Sequence, residues 1–175
     1  THGDKVDPEG EGIRASVNAM NAFAADVHIQ KHGLGVMGLI QLGDKEQQKH
    51  ILSFGGIEAA VHAMRCLKED SDVQGWGCYA LGSTGVGNKE TQCAIQKCGG
   101  VNCVVSALSR FQEDENVQEW GIRSLAFLAH DNLDVQIELY VNGIEIALES
   151  MKRHSGHAGI QGWANNFISC LSDSD

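Results

Sequence analysis

Apolar positions over residues 55–67 fall at Ile57, Ala60, Val61, Met64 and Leu67, offsets that line one side of a helix with about 3.6 residues per turn. The same offsets return at Val101, Val104, Val105, Leu108 and Phe111, and again at Ile13, Ser16, Val17, Met20 and Phe23. Each run predicts a middle helix. Ahead of it lies a shorter polar–apolar segment, "DKEQQKHILSF" in one place and "NKETQCAIQKC" in another. Asp44, Asn88 and Asn132 stand where the side-chain oxygen of an N-cap accepts from the free amides of a first helical turn. Gly55–Gly56, Gly99–Gly100 and Asn142–Gly143 then break the chain, because these residues tolerate the left-handed conformation that ends a helix. A third, longer helix follows the acidic turns "KEDSD" and "QEDEN", with Asp72 and Asn116 as its expected caps.

The pattern repeats. Gln30, Gln74, Gln118 and Gln161 are spaced by 44, 44 and 43 residues, and Ile13, Ile57, Val101 and Ile144 keep the same intervals. A unit of that size cannot bury its apolar faces alone, so neighbours must stack. The "GGI" or "GGV" before the middle helix and the run in "DVQGWGCYAL" and "NVQEWGIRSL" resemble the armadillo repeat family over residues 11–175. The resemblance implies an all-α fold, a right-handed α-solenoid of about four three-helix repeats whose third helices line a concave groove. The repeats would span roughly 11–54, 55–98, 99–141 and 142–175, after a polar extension at 1–10. Two-helix HEAT repeats have an overlapping period and remain the alternative. Glu58, Asn102 and Glu145 occupy the position after the Gly–Ile corner where many armadillo repeats carry Pro, so the units are divergent.

Turning the third helix by about 100° per residue places Val117, Gly121, Ser124, Leu125 and Leu128 on one core face. Val73, Gly77, Ala80, Leu81 and Thr84 are their equivalents one copy earlier, and Ile160, Ala164, Phe167, Ile168 and Leu171 one copy later. Trp120, Arg123 and Phe127 fall on a separate stripe with Trp76, Tyr79, Ser83, Trp163, Asn166, Cys170 and, in the first copy, His32, Gly35 and Leu39. Under the armadillo resemblance this stripe faces the groove, which makes His32, Trp76, Tyr79, Ser83, Trp120, Arg123, Phe127, Trp163 and Asn166 the expected partner-binding residues. The competing expectation is that the tryptophans wedge between successive third helices as packing. Nuclear-import members of the family carry Trp and, four residues on, Asn at fixed places. Here those places hold Gly35, Tyr79, Arg123 and Asn166, then Leu39, Ser83, Phe127 and Cys170, which argues against import-signal recognition.

A net charge of −10 argues against nucleic acid, whose phosphates need clustered Lys and Arg. No apolar run is long enough to span a bilayer, and none resembles a signal core, so the expectation is a cytoplasmic or nuclear chain, excised or processed from a longer one. Six cysteines without a CxxC are expected to be small buried hydrophobes. His28 and His32, one helical turn apart, raise the alternative of a metal-binding domain or a regulatory domain of a larger enzyme, but no further ligand stands at matching spacing. "GSTGVGNKET" lacks the GK[ST] of a phosphate loop and follows a helix. The sequence-level expectation is therefore a non-enzymatic adaptor without a cofactor or metal, binding a protein or peptide partner through its groove. The acidic turns suggest a second, basic contact along one edge.

Overall fold

The computed structural model describes residues 10–39, 42–140 and 142–172. These form eleven helices, and no strand occurs among the described residues, so the fold is all-α. Two helices, α1 (Glu11–Ala22) and α2 (Val27–Gly38), precede three triplets. The first triplet is α3 (Lys45–Ser53), α4 (Gly56–Cys66) and α5 (Ser71–Gly85). The second is α6 (Lys89–Lys97), α7 (Gly100–Arg110) and α8 (Glu115–Ala129), and the third is α9 (Leu133–Leu139), α10 (Asn142–Arg153) and α11 (Ala158–Ser172). Helices α2, α5, α8 and α11 pack each on the next. A single apolar cluster runs from Ile13 to Leu171 through all of them. Within the expected extension at 1–10, residues 1–9 lie outside the described residues, and Gly10 caps α1 at φ 65°.

The punctuation of the chain is local chemistry. Asp44 and Asn88 accept from two first-turn amides each, of α3 and α6. Asn132 occupies the same place before α9 but makes no such cap; its Oδ1 accepts from Lys89 Nζ at 2.7 Å. Gly55 and Gly99 adopt φ of 75° and 80°, the left-handed geometry in which a side chain would be strained, and so close one helix and open the next. The third helices are capped differently from the sequence expectation. Asp70 and Asp114, not Asp72 and Asn116, accept from the first-turn amides of α5 and α8. An N-cap bonds amides two or three residues ahead, and only the earlier aspartates have that reach to Val73 and Val117. Asp72 is released to bind Lys31.

The glutamines that mark the period have a structural task. Gln118 Nε2 donates to the carbonyls of Leu108 at 2.8 Å and Phe111 at 3.0 Å. Gln30 does the same to Met20 and Phe23, Gln74 to Met64 and Leu67, and Gln161 to Met151 and His154. The last carbonyls of a helix have no amide ahead of them, and a primary amide carries two donors. One side chain therefore closes the end of each middle helix and ties it to the third helix. A second series, Gln48, Gln92 and Gln136, satisfies carbonyls at the ends of α5 and α8.

The acidic turns also join units together. Glu69 pairs with Arg110 and Glu113 with Arg153, each arginine coming from the following unit. Large apolar side chains that remain exposed include Phe23, Val36 and Leu39 around α2 and Leu133, Ile137 and Tyr140 around α9. Phe23, placed by the sequence on the apolar face, is exposed, whereas Leu67 and Phe111, the C-cap residues at the same place in the next two units, pack half-buried against the core.

Candidate functional site

Helices α5, α8 and α11 each offer one row of side chains beside the buried face. On α8, Val117, Gly121, Ser124, Leu125 and Leu128 are buried, and Trp120, Arg123 and Phe127 stand half-buried next to them. Trp76 and Tyr79 on α5 and Trp163 on α11 are half-buried as well. These six side chains meet. Trp76 and Trp120 lie with ring centroids 5.2 Å apart, Tyr79 and Trp120 at 5.4 Å, and Trp76 packs edge-on to Tyr79 at 5.9 Å. Phe127 meets Trp163 in a T-shaped contact at 5.2 Å. The guanidinium of Arg123 joins the two groups, with its carbon 5.2 Å from the Tyr79 ring, 5.3 Å from Phe127 and 5.4 Å from Trp163.

Small residues on the preceding helix bring the tryptophans close. A Cβ on Gly75 would sit 3.2 Å from Trp120 Cε3, and one on Gly35 would sit 3.9 Å from the same edge of Trp76. The indoles of Trp76 and Trp120 thus each rest a benzo edge over a glycine one third helix back. Ring pairs of this geometry contribute about 0.5–1.5 kcal/mol each beyond the area they bury. The stripe is accordingly prearranged, because its aromatics are held by one another and by the helices beneath. Packing between helices and partial exposure coexist in the same side chains.

Other expected site residues are placed differently. Ser83 is 2% exposed, which corrects its assignment to an accessible groove; α5 is buried through its last turn, from Ala80 to Gly85. His32 and Asn166 are exposed, and neither joins the ring cluster. Asn166 Oδ1 accepts weakly from Cys170 at 3.8 Å. Sequence reasoning missed the supporting glycines, although the small residue at Gly75, beside the first tryptophan, was a visible signal.

His28 and His32 are exposed on α2, and among the described residues no group of three or more His, Cys, Asp or Glu could hold a metal ion. His154 Nε2 donates to the Gln112 carbonyl at 2.8 Å, and His157 Nδ1 accepts from the Ile160 amide at 3.3 Å near the start of α11. The segment 82–91 is the end of α5, a turn at Gly87 and the capped start of α6. No helix of the described residues is long and apolar enough to cross a membrane. An open hollow of about 830 Å³ between α7 and α10, bounded by Leu108, Ile144, Leu148 and Arg153, contains none of the stripe residues.

The expectation of uniformly buried cysteines needs correction: Cys78 and Cys103 are buried, Cys66 is exposed, and Cys93, Cys98 and Cys170 are intermediate. Burial, with a smaller contribution from Cys103, pushes the Cys78 thiol above the ordinary range. Alkylation of the native chain is expected to label Cys66 first and leave Cys78 untouched until denaturant is added. Peptide mapping by mass spectrometry reads this directly, and early modification of Cys78 would contradict the packing around it.

The fold is similar to those of engineered proteins crystallised by the Northeast Structural Genomics Consortium. One is 25% identical with a TM-score of 0.79, covering 93% of this chain and 63% of its own. A second is 25% identical with a TM-score of 0.78 over 94% of this chain and 38% of its own. A third, 21% identical, reaches a TM-score of 0.81 over 93% of this chain and 64% of its own. The chain thus spans less than two thirds of the length of these structures. No family model matches the sequence, and no curated protein matches it. What the comparisons establish is an all-helical, repeat-like fold shared with engineered proteins.

Proposed function

We propose that this chain is a non-catalytic protein-interaction scaffold, an armadillo-like α-solenoid whose third helices form a groove for a peptide or helix of a partner protein. The reading includes a cytoplasmic or nuclear setting, as part of a longer chain or complex. The observation that carries it is the continuous row Trp76, Tyr79, Trp120, Arg123, Phe127 and Trp163, half-exposed across three successive helices and in contact throughout. Tryptophan, tyrosine and arginine are the residues that most often dominate binding energy, because they bury much area at little entropic cost and keep a polar handle. Prearrangement adds to this, since side chains already fixed lose little freedom when a ligand arrives. The 44-residue period brings equivalent positions to neighbouring helices, which suits a ligand that runs across the units.

The test is selection from a displayed random peptide library. Peptides should be enriched on the native chain and lost when Trp120→Ala and Arg123→Ala are introduced together, with affinity falling about tenfold or more. Circular dichroism of the double variant must remain helical. Enriched peptides that bind the variant and the native chain equally would rule out the stripe as the binding surface.

A further inference from the structure

Arg123 differs from the other four arginines of the chain. Arg14, Arg110 and Arg153 each pair with a carboxylate, and Arg65 donates to the Cys98 carbonyl at 2.9 Å. Arg123 has no carboxylate partner among the described residues, and its Nε is buried without an acceptor. The nearby acids are committed elsewhere. Glu119, one turn earlier on α8, faces His157 on the α11 side at 4.0 Å, and Asp72, one turn before Trp76 on α5, holds Lys31. A guanidinium half withdrawn from water, in a chain of net charge −10, is thus surrounded by three rings and no anion. The ring faces attract its charge, but they do not accept hydrogen bonds from its in-plane N–H groups with the strength of an oxygen.

We infer that the stripe takes an acidic peptide, in which one Asp or Glu side chain seats on the terminal nitrogens of Arg123 and flanking apolar side chains stack on Trp120 and Trp163. This rests on the peptide-binding reading given above. A carboxylate matches the planar fork of a guanidinium and makes two charge-assisted bonds to it. The apolar flanks follow from the rings on either side, at Tyr79 and Trp120 toward α5 and at Phe127 and Trp163 toward α11. Charge limits the acid to one. A run of carboxylates, or a phosphate dianion, would meet a strongly negative chain with, among the described residues, a single unpaired cation in the stripe, whereas one carboxylate is neutralised where it lands.

The peptides enriched from the random library on the native chain supply the probe. They are expected to share one Asp or Glu within a few residues of apolar or aromatic side chains. A synthetic peptide of the enriched sequence should lose about tenfold in affinity when its acid is changed to the amide, and that loss should vanish on the Arg123→Gln chain. Arg123→Lys should recover part of the binding, since it keeps the charge and loses the fork. Thermal melts of both variants separate a binding defect from unfolding. Enriched peptides that need Trp120 but carry no acid, or whose acid is indifferent to Arg123→Gln, overturn the acidic specificity and leave peptide binding standing. Tighter binding of a phosphoserine version overturns it in favour of a phosphopeptide. Failure to enrich any peptide removes both.

Discussion

Gly82→Leu is expected to unfold the chain at markedly lower denaturant than the native protein, with a loss of about 3 kcal/mol or more. Gly82 lies where α5 crosses α8. A Cβ there would come to 2.9 Å from Ser124 Cα and 3.0 Å from its Cβ. The obstacle is backbone, so no rotamer change relieves it, and the two helices must separate along the most extensive contact in the stack. Even Gly82→Ala should destabilise, although alanine favours a helix over glycine by about 1 kcal/mol. Gly162 supplies the opposite case. It lies inside α11 with nothing within 4 Å of an added Cβ, and Gly162→Ala should raise stability by up to about 1 kcal/mol. Urea titrations of the three variants give both signs in one experiment. A Gly82→Ala protein as stable as the native chain would show that α5 and α8 do not cross so closely.

Gln118→Leu should cost about 2–5 kcal/mol, far more than a substitution of similar volume in a core normally does. Its amide satisfies two carbonyls at the end of α7, and Gln118 is 2% exposed, so leucine would leave the buried Leu108 carbonyl without its donor. Each buried orphan of that kind costs about 1–3 kcal/mol. Gln161 makes the equivalent bonds at the end of α10 but is only half-buried, and water can replace part of what Gln161→Leu removes. The expected order is therefore a large loss for Gln118→Leu and a smaller one for Gln161→Leu, read from denaturant midpoints at constant slope. Equal small losses would reduce these glutamines to markers of the period with no energetic role.

These two residues also show what kind of information a sequence holds. Gln118 was legible as a periodic landmark because periodicity is a property of the string, and the regular spacing of apolar residues placed the helices with it. Its bonds were not legible. They join α8 to the last turn of α7, and which carbonyls lack partners depends on where α7 ends. The caps divide in the same way. Asp44 and Asn88 each stand alone before their helices, whereas "KEDSD" and "QEDEN" offer several acids within reach, and a shift of two residues in the helix start selects Asp70 and Asp114.

Helical periodicity, glycine corners and the interval between copies are short-range properties, and by themselves they determined an all-helical chain of stacked units with its apolar faces turned inward. Long-range placement decided the rest. Ser83 occupies the same helical angle as Phe127, yet it is buried and Phe127 is half-exposed, because the neighbouring helices cover that part of α5. From the sequence, Arg123 was placed on the stripe beside Trp120 and Phe127 as an expected binding residue. Phe127 stands one turn away on the same helix, but only the approach of α5 and α11 added the Tyr79 and Trp163 rings and left Arg123 without a carboxylate partner among the described residues, since the distance between residues on different helices is set by how closely their backbones pack.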